Sequence, residues 1–360
     1  MNLKPKAFSF RFLIIIVGCM LLFACSPPVS EPTPLSPPTA TPESISTEIQ
    51  TPPAETSPPT IIPAQTKVIL VAPPDVDLTQ FEGLVSTLET LAEAEDLDFE
   101  LHSSFTQEDL SPDLKLVAAI PPDPGLAELA QAAPAIQFLG IAIPGLEPAP
   151  NLSIIDTQEI SPDRIGFLAG YLAAVVAPEW RVGVISTNDT PQGIPQRQGF
   201  LNGAIFFCGL CRQSYPPFNT YPLYVEAPSG SNPQEWQAVG NILIDQAVQT
   251  AYIAPGVSDE SLLEQLASAE INLIGSVPPP TGLGDQWIAT ISGDVSSALQ
   301  AVWPNLITGH GGTSHPLHLT VTHINPDLFS PGRQRLVDNL IAELSSGFID
   351  TGVVTDPVTP

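Results

Sequence analysis

The sequence predicts an α/β protein of two lobes, each a parallel sheet flanked by helices. Three observations predict it. Short apolar runs alternate with segments of helical spacing from residue 67 onwards, the pattern of strands buried on both faces of a parallel sheet. The runs outnumber the strands of one compact sheet. The stretch from 67 to 360 is also long enough for one large or two medium domains with cores of their own.

Two segments precede that stretch. Lys4, Lys6 and Arg11 make a basic start, and Phe12 to Leu22 form an apolar run too short to span a bilayer comfortably. The run ends in Leu22-Phe23-Ala24-Cys25, the pattern of a bacterial lipoprotein signal. Residues 1–24 are therefore read as an address that is removed, and Cys25 as the lipidated first residue. Two or more acyl chains anchor a protein stably where one does not, so the expected place is the extracytoplasmic face of a cell membrane, with no choice between inner and outer. Residues 25–66 read as a tether. Ser26 to Thr66 holds twelve prolines, four Glu and no Lys or Arg, too little apolar surface to offset the entropy of ordering. At about 3.1 Å per residue it reaches on the order of 100 Å when extended.

Removing Lys4, Lys6 and Arg11 leaves 8 basic residues against 38 acidic, a formal charge of −30. Nucleic acid is excluded as a partner, because phosphate binding relies on many Lys and Arg contacts. Of four cysteines, Cys19 leaves with the signal and Cys25 is lipidated, so Cys208 and Cys211 remain. A redox pair usually opens a helix, where the positive dipole end lowers a thiol pKa. This pair instead follows the helix expected over Pro195 to Phe207, at its negative end. A structural disulfide is the reading for an oxidising compartment, with free thiols or a redox or metal pair as the alternatives.

Taken in order, Lys67 to Ala72 is a strand, and Thr79 to Glu95 a helix with Phe81, Leu84, Leu88 and Leu91 on one side. Strands follow at Asp98 to Leu101, Leu114 to Ile120 and Ile136 to Ile143. A second series opens with a helix from Pro162 to about Ala177 and a strand at Arg181 to Ile185. Further strands are expected at Leu223 to Glu226, Ala251 to Ala254 and Ile271 to Gly275, with helices at Pro233 to Gln249 and Ser258 to Ala269 between them.

Specific residues add to periodicity. Asp163-Arg-Ile-Gly-Phe-Leu-Ala-Gly-Tyr-Leu-Ala-Ala174, Val182-Gly-Val-Ile185 and Gly193-Ile-Pro-Gln-Arg-Gln-Gly-Phe-Leu-Asn-Gly-Ala204 occur in series. Ser229-Gly-Ser-Asn-Pro233, Ala251-Tyr-Ile-Ala-Pro-Gly256 and Asn272-Leu-Ile-Gly275 continue it, as do Phe81-Glu-Gly-Leu84, Leu340 to Gly347 and Ile349 to Gly352. In that order they resemble the basic membrane protein family, the nucleoside-receptor lipoproteins of ABC importers. The resemblance implies a type I periplasmic binding protein fold, an ABC permease as partner, a final helix and strand at the last two segments, and a small polar, nucleoside-like ligand held between the lobes. It places the first lobe at 67–156 plus 286–309 and the second at 157–285 plus 310–352, with 353–360 as a tail. The sequence departs from the family in its first loop, Ala72-Pro-Pro-Asp-Val-Asp-Leu-Thr-Gln80, in Ile120-Pro-Pro-Asp123 and in the compressed Gly282-Leu-Gly-Asp-Gln-Trp287. These departures keep open a second reading, a sensor or surface scaffold that transports nothing.

In open α/β sheets ligands sit beyond the carboxyl ends of the strands. The residues that meet this condition are Asp75, Asp77, Asp123, Asn188, Asp189, Gly256, Asp285 and Trp287. A carboxylate there accepts from hydroxyls or an amine, and a Trp stacks on a planar ring. The ordinary readings stand beside these. Asp75, Asp77 and Asp123 suit helix caps, Asn188 and Asp189 suit a turn, and Trp287 suits the core. His310, His315, His318 and His323 crowd one segment, but alternation on a strand from Leu317 to Ile324 points His318 and His323 to opposite faces. They are read as turn and strand residues, with no metal or other cofactor expected. No Gly-x-Ser-x-Gly elbow, His-Glu-x-x-His or P-loop occurs, so the chain is read as a binding protein and not as an enzyme.

Overall fold

The computed structural model describes residues 66–354 apart from Asp77 and Ser258. The signal, the lipidation site Cys25, the tether up to residue 65, Asp77 and the end of the tail lie outside the described residues.

The first sheet contains β1 (Lys67–Val71), β2 (Asp98–His102), β3 (Leu114–Ala119), β4 (Gln137–Ile141), β5 (Leu152–Asp156) and a short late strand, β11 (Ser314–Pro316). Its order is β2-β1-β3-β4-β5-β11, and every neighbouring pair is parallel. The second sheet contains β6 (Val182–Thr187), β7 (Leu223–Ala227), β8 (Thr250–Ile253), β9 (Asn272–Gly275), β10 (Trp287–Gly293) and β12 (Leu319–Thr322). It runs β7-β6-β8-β9-β10-β12, with only β12 antiparallel. The apolar runs explain the central strands: β6 and β8 are buried along their whole length, as parallel strands covered on both faces must be.

Helices α1 (Leu84–Ala94) and α2 (Leu126–Ala132) belong to the first lobe, and α3 (Pro162–Val176), α4 (Gly193–Cys208), α5 (Pro233–Asp245) and α6 (Glu260–Ser268) to the second. The helix expected from Thr79 splits into a 3-10 turn at Leu78–Phe81 and α1. Gly83 separates them with φ of 77°, in the left-handed region that favours glycine. A capping box starts α5: Asn232 accepts from the Glu235 N–H at 3.1 Å, and the Glu235 carboxylate accepts from the Asn232 N–H at 2.9 Å.

Glycines set the spacing of α3 and α4. A Cβ on Gly166 or Gly170 would lie 2.0 Å from the carbonyl oxygen of Gln196 or Phe200, and one on Gly203 would lie 1.9 Å from that of Phe167. The two helices therefore pack backbone against backbone. Gly166, Gly170, Gly199 and Gly203, from the two segments that carried the family resemblance, all serve this contact.

The chain passes between the sheets after β5, after β10 and after β11. The second passage leads into α7 (Val295–Ile307), started by Asp294, which accepts from the Ser297 N–H at 2.9 Å. Val295, Leu299, Val302 and Leu306 of α7 enter the first-lobe core beside Leu84 and Leu116. After β12 comes α8 (Pro331–Ser345), whose Val337, Leu340 and Leu344 pack with Phe167 and Leu168 of α3.

Sheet membership corrects the expected lobe limits at two places. Residues 287–293, assigned to the first lobe, form β10 of the second sheet, between β9 and β12. The passage to the first lobe therefore follows β10 and does not precede it. Residues 310–316, assigned to the second lobe, end in β11 of the first sheet, because Ser314, His315 and Pro316 pair with Ile154, Ile155 and Asp156. The strand expected at Ile349 to Gly352 does not form. Thr351 is held by side chains instead: its hydroxyl donates to buried Asp163 Oδ2 at 2.6 Å, and its carbonyl accepts from Asn202 Nδ2 at 2.9 Å. Among the described residues no helix is long and apolar enough to cross a membrane.

Candidate functional site

All three passages between the sheets leave from carboxyl ends: β5, β10 and β11 each run toward the passage that follows them. On that side of the second lobe lies a cavity of about 670 Å³, within the range of small-molecule sites. The ends of β8, β9 and β10 make its floor, the segments 254–257 and 276–281 make its sides, and Ile160 and Ile165 close it from the first passage and the start of α3.

Gly256 and Trp287, both expected at the site, line this cavity. Gly256 has φ of 86° and turns the chain out of β8. Trp287 does not offer a free stacking face, since only 2 % of it is exposed. Its indole lies on Gly275, where a Cβ would come 2.2 Å from the ring. The indole Nε1–H donates to Thr290 Oγ1 at 3.1 Å, and the Thr290 hydroxyl donates to the Val277 carbonyl at 3.2 Å. Trp287 thus stiffens the wall from behind and fixes the loop that follows β9.

A second buried chain supports the floor. Gln196 Nε2 donates to the Tyr252 hydroxyl at 2.7 Å, and that hydroxyl lies 2.9 Å from Ser276 Oγ. Tyr252 stacks on Phe200 with ring centroids 6.1 Å apart. Burial pushes the Tyr252 phenol far above its usual value, against smaller opposing effects from Ser276 and Gln196, so it remains a neutral donor.

The other expected residues are placed elsewhere. Asp123 Oδ1 accepts from the N–H groups of Gly125 and Leu126, each at 2.9 Å, and so starts α2. Asp189 accepts from the Ser229 N–H at 2.8 Å and the Ser229 hydroxyl at 3.1 Å, tying the loop after β6 to the loop after β7. Asn188 lies exposed beside it, with its N–H on the Ala227 carbonyl at 3.2 Å. Asp75 is exposed in the turn after β1, and Asp285 is exposed before β10. None of these five lines the cavity. Sequence reasoning passed over Ser276, Val277, Thr281 and Ser292, which do. The signal that finds them is their position in the last residues of β10 or in the loop after β9.

Cys208 ends α4 and Cys211 follows after one turn, with Cα atoms 4.9 Å apart and the sulfurs facing. The histidines disperse: His318 lies 2.8 Å from Glu159, His323 lies 3.2 Å from Glu82, and His310 and His315 lie beside Thr308 and Thr313. Among the described residues no group of three or more His, Cys, Asp or Glu is gathered to hold a metal.

A scan of family models finds none that matches this sequence, and a search of curated proteins finds no match. Solved structures do match. A solute-binding protein of an ABC transporter system from Conexibacter woesei superposes with a TM-score of 0.61 at 18% identity, over 79% of this chain and 98% of that one. A second such protein, from Aeropyrum pernix, gives 0.54 at 14% identity, over 80% and 93%. A transcriptional activator of the comK gene from Bacillus halodurans gives 0.56 at 16% identity, over 78% and 98%. At such identities the likeness establishes the fold. It is the two-lobe α/β architecture of type I periplasmic binding proteins.

Proposed function

We propose that this protein is a lipid-tethered, extracytoplasmic solute receptor that binds a small organic molecule beside its hinge and delivers it to an ABC permease. One observation carries the reading: a cavity of about 670 Å³ lies at the strand carboxyl ends, next to the passages between the lobes. A ligand seated there touches the second lobe and the first passage together, so its contacts change when the lobes move, and it selects one arrangement over the other. The shared fold of the Conexibacter woesei and Aeropyrum pernix solute-binding proteins supports the same reading. Anchoring rests on Cys25 and its leader.

The family resemblance implies a nucleoside as the ligand. The cavity has one carboxylate at its mouth, that of Glu260, and among the described residues no amide side chain lines it. The proposal therefore requires a small organic solute and does not require a nucleoside.

Two measurements test the proposal. Globomycin, which blocks the lipoprotein signal peptidase, should leave a larger precursor in the producing cells. An unchanged size would remove the lipid anchor. The protein purified from those cells and then denatured should release a bound small molecule detectable by mass spectrometry, and deleting the gene should slow uptake of that molecule. Release without any effect on uptake would instead support the sensor reading.

A further inference from the structure

The inventory of polar groups around the cavity sets what it can hold. Ile160, Ile165, Ile253, Val257, Leu263 and Ile291 supply apolar wall. Among the described residues the side-chain groups facing it with hydrogen-bonding capacity are Ser276, Thr281, Ser292 and Glu260. Ser276 is already engaged, 2.9 Å from the Tyr252 hydroxyl and 3.4 Å from the Ile253 carbonyl. Glu260 is exposed at the first turn of α6. The indole N–H of Trp287 is directed to Thr290 and away from the cavity. Among the described residues no Lys, Arg or His lines it, so no basic side chain there pairs with a carboxylate or phosphate.

Sites that bind sugars, nucleosides or amino acids must replace the water around many hydroxyls or charges, and each group left unpaired on burial weakens binding roughly tenfold. Two uncommitted side-chain hydroxyls, Thr281 and Ser292, match few such groups. We infer that it takes an uncharged, largely apolar ring compound carrying one or two hydrogen-bonding groups, which meet Thr281 and Ser292 while the ring lies between Ile165, Leu263 and Ile291. The inference rests on the receptor reading above and names its ligand class. It differs from the nucleoside that the family resemblance implies.

The test uses the full chain in detergent, with benzyl alcohol and indole as uncharged ring probes. Benzoate and benzylamine serve as charged counterparts, and adenosine and glucose as polyhydroxylated ones. Calorimetry should give benzyl alcohol and indole dissociation constants at least tenfold lower than that of benzoate, with no heat from glucose. Val277→Trp, which fills the cavity from a loop, should weaken both uncharged probes at least tenfold while keeping the far-ultraviolet dichroism of the parent. Adenosine or glucose binding more tightly than indole would overturn the ligand class and leave the receptor reading standing. If no probe binds and Val277→Trp raises the melting temperature, the cavity is a packing gap, and the ligand class and the receptor reading fall together. Equal binding of indole by the parent and by Val277→Trp would place the ligand elsewhere and overturn the inference.

Discussion

The Trp287 ring rests on Gly275, with only 2.2 Å between the ring and the point where any other residue would carry its Cβ. The two sit at the foot of β10 and the end of β9, and the contact sets the back wall of the cavity. Gly275→Ala should push the indole away, break its bond to Thr290 and cost about 2 kcal/mol, as overpacking of a filled core does. A lower urea midpoint together with a red-shifted tryptophan emission checks this. An unchanged emission would mean that the ring has room to move.

Helices α3 and α4 should be the least tolerant pair in the protein. Gly203→Ala places a methyl 1.9 Å from the Phe167 carbonyl oxygen, where backbone and not a flexible side chain must yield. A loss of about 3 kcal/mol is expected, read as a lowered denaturation midpoint. Gly284→Ala, with open space around it, is the control and should stay within about 0.5 kcal/mol of the parent.

Thr351 should matter more than its place near the chain end suggests. Its hydroxyl meets the buried Asp163 carboxylate, and removing one partner of a buried pair leaves the other desolvated and unmatched. Thr351→Val keeps the shape and loses the bond, and should cost about 2 kcal/mol. Thr351→Ser should retain most of the stability, which separates the hydrogen bond from the packing.

The edge of the first lobe should show a pH signature. Lys67 lies 3.3 Å from Glu100 and 3.5 Å from Asp113. The hydrogen bond with His102, and then that with Lys67, hold the Glu100 carboxyl below its ordinary value, and the hydrogen bond with Ser111 is the largest cause that lowers Asp113. Depressed carboxyls stabilise the fold above their unfolded values, and this share is lost as pH falls through the folded ones. Lys67 is raised, chiefly by its hydrogen bond to Glu100. Its share is present below the unfolded value of 10.5 and is lost as pH rises through the folded one. Lys67→Met should flatten both the acid and the alkaline ends of the stability profile, by small amounts because these groups face solvent. A profile parallel to that of the parent at all pH values would disprove the coupling.

Cys208 and Cys211 should resist iodoacetamide in protein purified in air and react after reduction. A bridge over so short a loop adds about 2 kcal/mol on the chain-entropy estimate, so Cys208→Ser with Cys211→Ser should lower the midpoint by a similar amount. Labelling without prior reduction would identify them as free thiols.

Continuous apolar runs made most strands legible. Lys67-Val-Ile-Leu-Val71 and Val182-Gly-Val-Ile185 admit few other readings once helices flank them. Trp287-Ile-Ala-Thr-Ile-Ser-Gly293 is absent from the expected strands, with only Trp287 read as the end of a compressed loop, although its first five residues are all buried. Leu152-Ser-Ile-Ile-Asp156 is a strand with polar residues inside it; Ser153 accepts from the Gly312 N–H at 3.1 Å, a partner far along the chain that no local pattern reveals. The strand-end rule picks out Gly256 and Trp287, which line the cavity. Asp123 instead accepts from the nearby N–H groups of Gly125 and Leu126, and Asp189 from Ser229 of a neighbouring loop.

Neither lobe is made from one continuous piece of chain. The first lacks its sixth strand until Ser314 to Pro316 is available, and the second lacks Leu319 to Thr322, α8 and the Thr351 clasp until the end. A chain that emerges from its N-terminus thus leaves the edge of β5 uncovered until Ser314 and that of β10 until Leu319, and exposed strand edges invite pairing with other chains. Both sheets receive their last strand from the one short stretch Ser314 to Thr322. A chain lacking that stretch would leave an uncovered edge on both sheets at once.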